Sequence, residues 1–114
     1  MDLSIIIVNW NVEALLRECI RSLFEAIDHI PGYRIEIIVV DSASSDGSVA
    51  MVRSQFPQVH LIASDQNLGY AQGNNVGVDA AQGRYLFLLN PDTVVAPDAL
   101  NHLLTYIDER PQVG

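Results

Sequence analysis

Hydrophobic residues along the chain alternate between short continuous runs and a helical spacing. These nearly continuous runs lie at residues 3–8, 35–40, 59–63 and 84–89, each with one polar or charged residue, and such runs are typical of strands covered on both faces. After the first run, apolar residues recur every three or four positions: Val12, Leu15, Leu16, Cys19, Ile20, Leu23, Phe24 and Ile27. Four strand–helix units predict an α/β domain over residues 1–114, with a parallel sheet, right-handed crossovers and helices on both faces.

The expected helix boundaries follow from caps and breakers. Asn11 is the expected N-cap of the first helix, and Asp46, in the polar loop before the second helix, is the expected cap of that helix. The third helix is expected to run to about Ala81, before a glycine. Pro97 and Asp98 are expected to open the fourth helix.

Composition and charge narrow the range of partners. The 114 residues carry a net charge of −8 and no lysine, which argues against nucleic acid or an anionic membrane surface as a partner. The single cysteine, Cys19, excludes an internal disulfide, and its place on an apolar helix face predicts a buried, inert thiol. The chain has neither a run of eighteen apolar residues nor a positively charged start, so we expect no transmembrane segment and a cytoplasmic setting.

Strand four ends in the most informative polar segment, Asn90-Pro91-Asp92. Pro91 cannot donate to a strand ladder, so pairing should stop there and leave Asp92 at the carboxyl end of the strand. Ligands bind at that edge of open α/β sheets, and a carboxylate there suits a hard divalent cation and the phosphates it bridges. A turn aspartate that orders its own backbone is the alternative.

The other three strands send polar residues to the same edge: Asn9, Trp10 and Asn11; Asp41; and Ser64, Asp65 and Asn67. Asp41 could accept a hydrogen bond from a base N–H group or a ribose hydroxyl. The glycines that follow, at 69, 73 and 77, allow close backbone approach but do not form a dinucleotide-binding fingerprint. Without lysine there is no Walker-type phosphate loop either.

Four segments in this order resemble the motifs of glycosyltransferase family 2: residues 4–11 (SIIIVNWN), 39–48 (VVDSASSDGS), 67–77 (NLGYAQGNNVG) and 89–93 (LNPDT). The resemblance covers nearly the whole chain. It implies the GT-A fold, a three-layer Rossmann-like arrangement with a mostly parallel sheet, and in particular its N-terminal, nucleotide-sugar-binding half. The Asn-Pro-Asp version is similar to rhamnosyltransferase-like members that use a dTDP-sugar.

The resemblance also implies roles for individual residues. Asp41 matches the aspartate that contacts the nucleobase, and Asp92 matches the position that holds Mg²⁺ or Mn²⁺ against the diphosphate. Asn90 stands where the family usually has a second aspartate, which leaves one carboxylate and puts metal dependence in question. The remaining residues implied at the donor site are Asn9, Trp10, Asn11, Asn67, Gly69 and Asn75.

The implied reaction is inverting transfer from a UDP- or dTDP-linked sugar to a hydroxyl of a glycan or lipid-linked acceptor, in cell-envelope polysaccharide or glycan synthesis. A cytoplasmic protein, or one peripheral at the inner face of the membrane, is expected. The family places its catalytic base later than Gly114, where this chain stops, so the chain is expected to be truncated and inactive on its own.

Two other classes stay open on the residues alone. A noncatalytic, self-associating α/β domain would form a homodimer through an uncovered sheet edge or face. A receiver-type signalling domain shares the length, acidity and topology, but it requires an acidic pair after strand one and a late lysine, which this chain lacks.

Overall fold

The computed structural model describes residues 1–109, which form four strands and four helices in strict alternation. The elements are β1 (Leu3–Asn9), α1 (Glu13–Asp28), β2 (Ile35–Ser42), α2 (Ser48–Gln55), β3 (His60–Ser64), α3 (Gly69–Ala80), β4 (Tyr85–Leu89) and α4 (Ala99–Glu109). The strands form one sheet in the order β3-β2-β1-β4, and every neighbouring pair is parallel. The predicted α/β class with a parallel sheet is confirmed. The predicted domain also includes residues 110–114, which lie outside the described residues.

The two faces of the sheet carry separate hydrophobic cores, because successive strand side chains point to opposite faces. Ile5 and Ile7 of β1 belong to the larger core, which α1, α2 and α4 cover. Ile6 and Val8 belong to the smaller core, which α3 covers. The three layers are therefore helices, sheet and helix.

Helix α3 lies unusually close to β1 because two of its contact positions are glycines. A Cβ atom added at Gly77 would lie 2.4 Å from Cγ2 of Ile6, and one added at Gly73 would lie 2.7 Å from Cγ1 of Val8. These two glycines therefore serve helix–sheet packing.

Strand β4 is an edge strand with one uncovered face. Leu86 and Leu88, which point to the α3 side, are each 46% exposed, because α3 packs on β1 and β2. The prediction that this apolar run is covered on both faces is therefore wrong within residues 1–109. Pairing does end at Leu89, as Pro91 predicts.

The start of α1 differs from the prediction. Asn11 adopts a left-handed backbone conformation with φ of 53°, and Val12 occupies the N-cap position without a side-chain bond. Asn11 as the N-cap is therefore wrong. Gly47, one residue after the predicted Asp46, occupies the N-cap position of α2, although Oδ1 of Asp46 does accept a hydrogen bond from the backbone N–H of Ser48 at 3.0 Å. None of the helices within residues 1–109 combines the length and apolar character needed to cross a bilayer.

Candidate functional site

A cleft of about 460 Å³ opens at the carboxyl edge of the sheet, between the loops that follow the four strands. Its volume lies within the range of small-molecule sites, roughly 300–1,000 Å³. The residues that line it are Val8, Trp10, Val12, Leu15, Ser42, Asn67, Gly69, Tyr70, Asn90, Pro91 and Asp92.

The two ends of the cleft differ in chemistry. Ser42 and Asn67 lie at the β2–β3 end, whereas Asn90 and Asp92 follow β4 at the other end. Since β1 lies between β2 and β4, the ends are separated by two to three strand spacings, or about 10–15 Å. Trp10 follows β1 between them and is 54% exposed. Among the described residues 1–109, Asp92 is the single charged residue of the lining, so this part of the chain gives the cleft one negative charge and no basic side chain.

Asn9 and Asp41 lie beneath the cleft, on the opposite side of their strands. They pair in register at the ends of β1 and β2 and alternate along their strands with the residues of the larger core, so they lie on that face of the sheet. Asn9 is 0% exposed and Asp41 is 2% exposed. The Nδ2 group of Asn9 donates to Oδ1 of Asp41 at 3.0 Å. Ser44 donates its backbone N–H to Oδ2 of Asp41 at 2.9 Å and its hydroxyl to Oδ1 at 2.7 Å. Direct contact between Asp41 and a nucleobase stays a prediction, because this carboxylate is buried and its described hydrogen bonds are to Asn9 and Ser44.

Asn11 and Asp46 join the loops that follow β1 and β2. Oδ1 of Asn11 accepts the backbone N–H of Ser45 at 2.7 Å, and Oδ2 of Asp46 accepts that of Glu13 at 3.1 Å. Although partial desolvation raises the pKa of Asp46, hydrogen bonds from Ser48 and Glu13 lower it more, so its pKa lies below the ordinary value. The two loops therefore form one braced base under the cleft.

Ser42 and Asn67 form a hydrogen-bonded pair in the cleft wall. The Ser42 hydroxyl donates to Oδ1 of Asn67 at 2.9 Å and accepts the backbone N–H of Leu68 at 2.6 Å. Oδ1 of Asn67 also accepts the backbone N–H of Gly69 at 3.1 Å. Gly69 has a φ of 74°, which a residue with a Cβ rarely adopts. This pair holds the start of α3 against the end of β2.

The segment after β4 turns sharply and presents a carboxylate to the cleft. The carbonyl of Asn90 accepts the backbone N–H of Thr93 at 3.1 Å and the Cys19 thiol at 3.8 Å. Within residues 1–109 the exposed carboxylate of Asp92 has no hydrogen-bond partner, so it is free for a ligand. Burial, with a contribution from the Asp92 charge, raises the pKa of Cys19 to about 12. The predicted burial of Cys19 is confirmed, and its low reactivity stays a prediction.

The residues around Asp92 bear on the expected metal. Across residues 1–109, no three histidine, cysteine, aspartate or glutamate side chains are grouped as a preformed metal centre. Mg²⁺ is commonly held by one or two carboxylates, with substrate phosphates and water supplying the other ligands. The free carboxylate of Asp92 fits that pattern, and Asn90 beside it offers an amide oxygen.

The structure brings five of the nine predicted donor-site residues into the cleft: Trp10, Asn67, Gly69, Asn90 and Asp92. Asn9, Asn11 and Asp41 lie in the braced base, and Asn75 is exposed on α3 outside the lining. Sequence reasoning missed Ser42 and Tyr70 among the lining residues. The two-residue period of a strand could have found Ser42, because it shares the parity of Val40 in the α3-side core.

Residues 4–114 match the family described as Glycosyl transferase family 2. The chain belongs to glycosyl transferase family 2. Over 108 residues it is 32% identical to the succinoglycan biosynthesis protein ExoO of Rhizobium meliloti, a match that covers 94% of this chain and 30% of ExoO. It is 34% identical to the low-salt glycan biosynthesis hexosyltransferase Agl10 of Haloferax volcanii, covering 91% of this chain and 32% of Agl10.

Solved structures support the same assignment. Staphylococcus aureus TarS 1–349 in complex with UDP-GlcNAc superposes with a TM-score of 0.83 at 26% identity, covering 97% of this chain and 32% of that one. The mannosyltransferase PcManGT of Pyrobaculum calidifontis, in complex with GDP-Man and Mn²⁺, gives 0.81 at 25% identity, covering 92% and 32%. The expected GT-A fold is thereby confirmed. The chain spans 30% of the length of ExoO and about a third of the length of TarS 1–349.

Proposed function

We propose that the cleft binds the nucleoside-diphosphate sugar donor of a glycosyl transfer reaction. The observation that carries this proposal is the free carboxylate of Asp92 at one end of a cleft that otherwise lacks charge. Family membership and the UDP-GlcNAc complex of the similar protein TarS support it.

The charge of the lining supports a role for a divalent cation. A diphosphate brought beside Asp92 meets another negative charge, and within residues 1–109 no lysine, arginine or histidine lines the cleft to offset it. Asp92, with Asn90 as a neutral neighbour, would hold Mg²⁺ or Mn²⁺ together with the diphosphate oxygens. Bound there, the cation supplies Lewis-acid stabilisation of the departing diphosphate. The chain's own residues bind the nucleotide. The braced base, which the loops after β1 and β2 form beneath the cleft, keeps these loops in place.

The donor class follows from the relatives, and the finer assignments stay predictions. The name of Agl10 points to hexosyl transfer in glycan synthesis, and the name of ExoO points to succinoglycan synthesis. Inversion at the sugar carbon, a UDP or dTDP donor, a rhamnosyl group, a lipid-linked acceptor and attachment to the inner face of the membrane are proposed on family resemblance. The general base is proposed to lie later than Gly114.

Calorimetry with UDP and dTDP, each with and without Mn²⁺, tests the proposal. Binding should strengthen at least tenfold with Mn²⁺, and Asp92→Asn should abolish that increment while preserving the shape of the side chain. Asp98→Asn is the matched control, because Asp98 carries the same charge six residues later and lies outside the lining. An undiminished Mn²⁺ increment in Asp92→Asn would contradict the assigned metal position.

Self-association remains a second candidate, and the uncovered face of β4 at Leu86 and Leu88 favours it over other interaction modes. Size-exclusion chromatography with and without UDP separates the two functions. A dimer that is indifferent to nucleotide, with no binding in calorimetry, would favour self-association. Membership of the glycosyl transferase family argues against the receiver-type alternative.

A further inference from the structure

We propose that Ser22 of α1 positions the carboxylate of Asp92 for the divalent cation, by holding the far end of the turn that carries this aspartate. The inference rests on the proposed function, because it takes Asp92 as the residue that holds the cation. Ser22 itself lies outside the cleft lining, so its effect on the cation passes through the turn.

Asp92 occupies a central position of a tight turn at the end of β4. The backbone N–H of Thr93 donates to the carbonyl of Asn90 at 3.1 Å, which closes a β-turn with Pro91 and Asp92 at its centre. Within residues 1–109 the exposed Asp92 side chain has no hydrogen bond of its own. Its direction is therefore set by the backbone of the turn and by the contacts that fix the two ends of that turn.

The near end of the turn is fixed by the sheet. Leu89 pairs with Ile7 as the last residue of the ladder between β1 and β4. The carbonyl of the next residue, Asn90, also accepts a weak hydrogen bond from the thiol of Cys19 at 3.8 Å. The turn therefore starts from a paired strand end that contacts α1.

The far end of the turn lies beyond the sheet and is attached to α1 by a buried hydroxyl. Ser22 accepts the backbone N–H of Val95 at 2.9 Å and donates to the carbonyl of Cys19 at 2.8 Å. The N–H can only donate and the carbonyl can only accept, so the hydroxyl has a single direction. Ser22 and Val95 are both buried, so little water competes for either bond.

The two attachments lie within one turn of α1, because Cys19 and Ser22 are three residues apart on the same helix face. Asp92 lies between the attached residues, two after Asn90 and three before Val95. A cation at Asp92 therefore meets a carboxylate whose backbone is held on both sides. Without the far attachment, binding must first order the turn, and this cost lowers the affinity for the cation.

Calorimetry with UDP, with and without Mn²⁺, measures this effect in Ser22→Ala. We expect the gain in UDP affinity from Mn²⁺ to fall about fivefold, the factor that a modest ordering cost imposes on binding, while metal-free UDP affinity changes by less than about twofold. Ser54→Ala is the matched control and should keep the whole gain. Ser54 makes the same kind of bond to the carbonyl three residues earlier, that of Met51 at 3.3 Å, but lies on α2 outside the lining.

The outcomes distinguish this inference from the proposed function. A purely structural role for Ser22 would weaken UDP binding equally with and without Mn²⁺ and leave the gain unchanged. That result, in a variant that a thermal unfolding curve shows to be folded, would overturn this inference while donor binding at Asp92 stands. If the unmodified protein gains nothing from Mn²⁺, the proposed cation position fails, and this inference fails with it.

Amide hydrogen exchange in the unmodified protein tests the same coupling without a substitution. If the Ser22–Val95 bond favours cation binding, the cation must stabilise that bond by the same factor. When Mg²⁺ is added to the UDP-bound protein, exchange at the Val95 amide should slow about fivefold. Exchange at the Phe56 amide, which bonds to Val52 at the end of α2, should not change. An unchanged rate at Val95 would overturn the inference.

Discussion

The hydrogen bond between Asn9 and Asp41 offers the sharpest test of the braced base, because both side chains are buried and neither lines the cleft. In Asn9→Ala, Asp41 loses the donor that lies 3.0 Å from its Oδ1 and keeps only the two bonds from Ser44. We therefore expect this substitution to lower the free energy of unfolding.

The magnitude follows from the contacts on each side. A hydrogen bond to a charged group contributes roughly 1.5–3 kcal/mol to stability. The same substitution removes Oδ1 of Asn9, a buried oxygen with no hydrogen-bond partner among residues 1–109, and so relieves about 1 kcal/mol of desolvation cost. A small cavity adds a loss of about 1 kcal/mol. The net expectation is a loss of about 2 kcal/mol, or a fall in Tm of about 8 °C for a chain of this size.

Urea unfolding followed by far-UV circular dichroism measures this loss. Asn75→Ala is the matched control, because Asn75 is exposed on α3 and its substitution should change stability by less than about 0.5 kcal/mol. If Asn9→Ala is as stable as the control, the Asn9–Asp41 bond contributes nothing. The account of these residues as structural supports would then be refuted.

Two further predictions concern packing and the buried thiol. Gly77→Ala should lower the free energy of unfolding by about 1–3 kcal/mol, because the added Cβ would lie 2.4 Å from Cγ2 of Ile6. Gly32→Ala is the control, because a Cβ added there would have no atom within 4 Å and should not destabilise the protein. Equal urea midpoints for the two variants would contradict the close packing of α3. Native Cys19 should resist Ellman's reagent at pH 8 and react once unfolded. Burial raises the pKa of Cys19 from 9.0 to about 12, so the native state favours the protonated thiol. The free energy of unfolding should therefore fall by up to about 1.4 kcal/mol per pH unit as the pH rises from 9.0 to about 12. Cys19→Ala should lack this pH dependence.

The parallel α/β fold could be predicted because hydrophobic period and chain punctuation are local properties. Continuous apolar runs such as residues 3–8, separated by helical stripes, leave few arrangements that bury both patterns. The edge carrying the polar residues could also be predicted, since parallel strands all end on the same side. Asp92 and Trp10 were found by this reasoning and do line the cleft.

Local pattern does not reveal which neighbour covers a given face. The run in β4 has the composition of an interior strand, yet its place at the sheet edge leaves Leu86 and Leu88 exposed. Adjacent residues of a strand point to opposite faces of the sheet, and this separates Asp41 from Ser42. Asp41 is buried beneath the cleft, whereas Ser42 lines it. The sequence by itself determined the class of fold and the edge of the sheet where the cleft opens. Only the tertiary structure decided which side chains line that cleft, because this depends on strand order and on the packing of α3, which are long-range contacts.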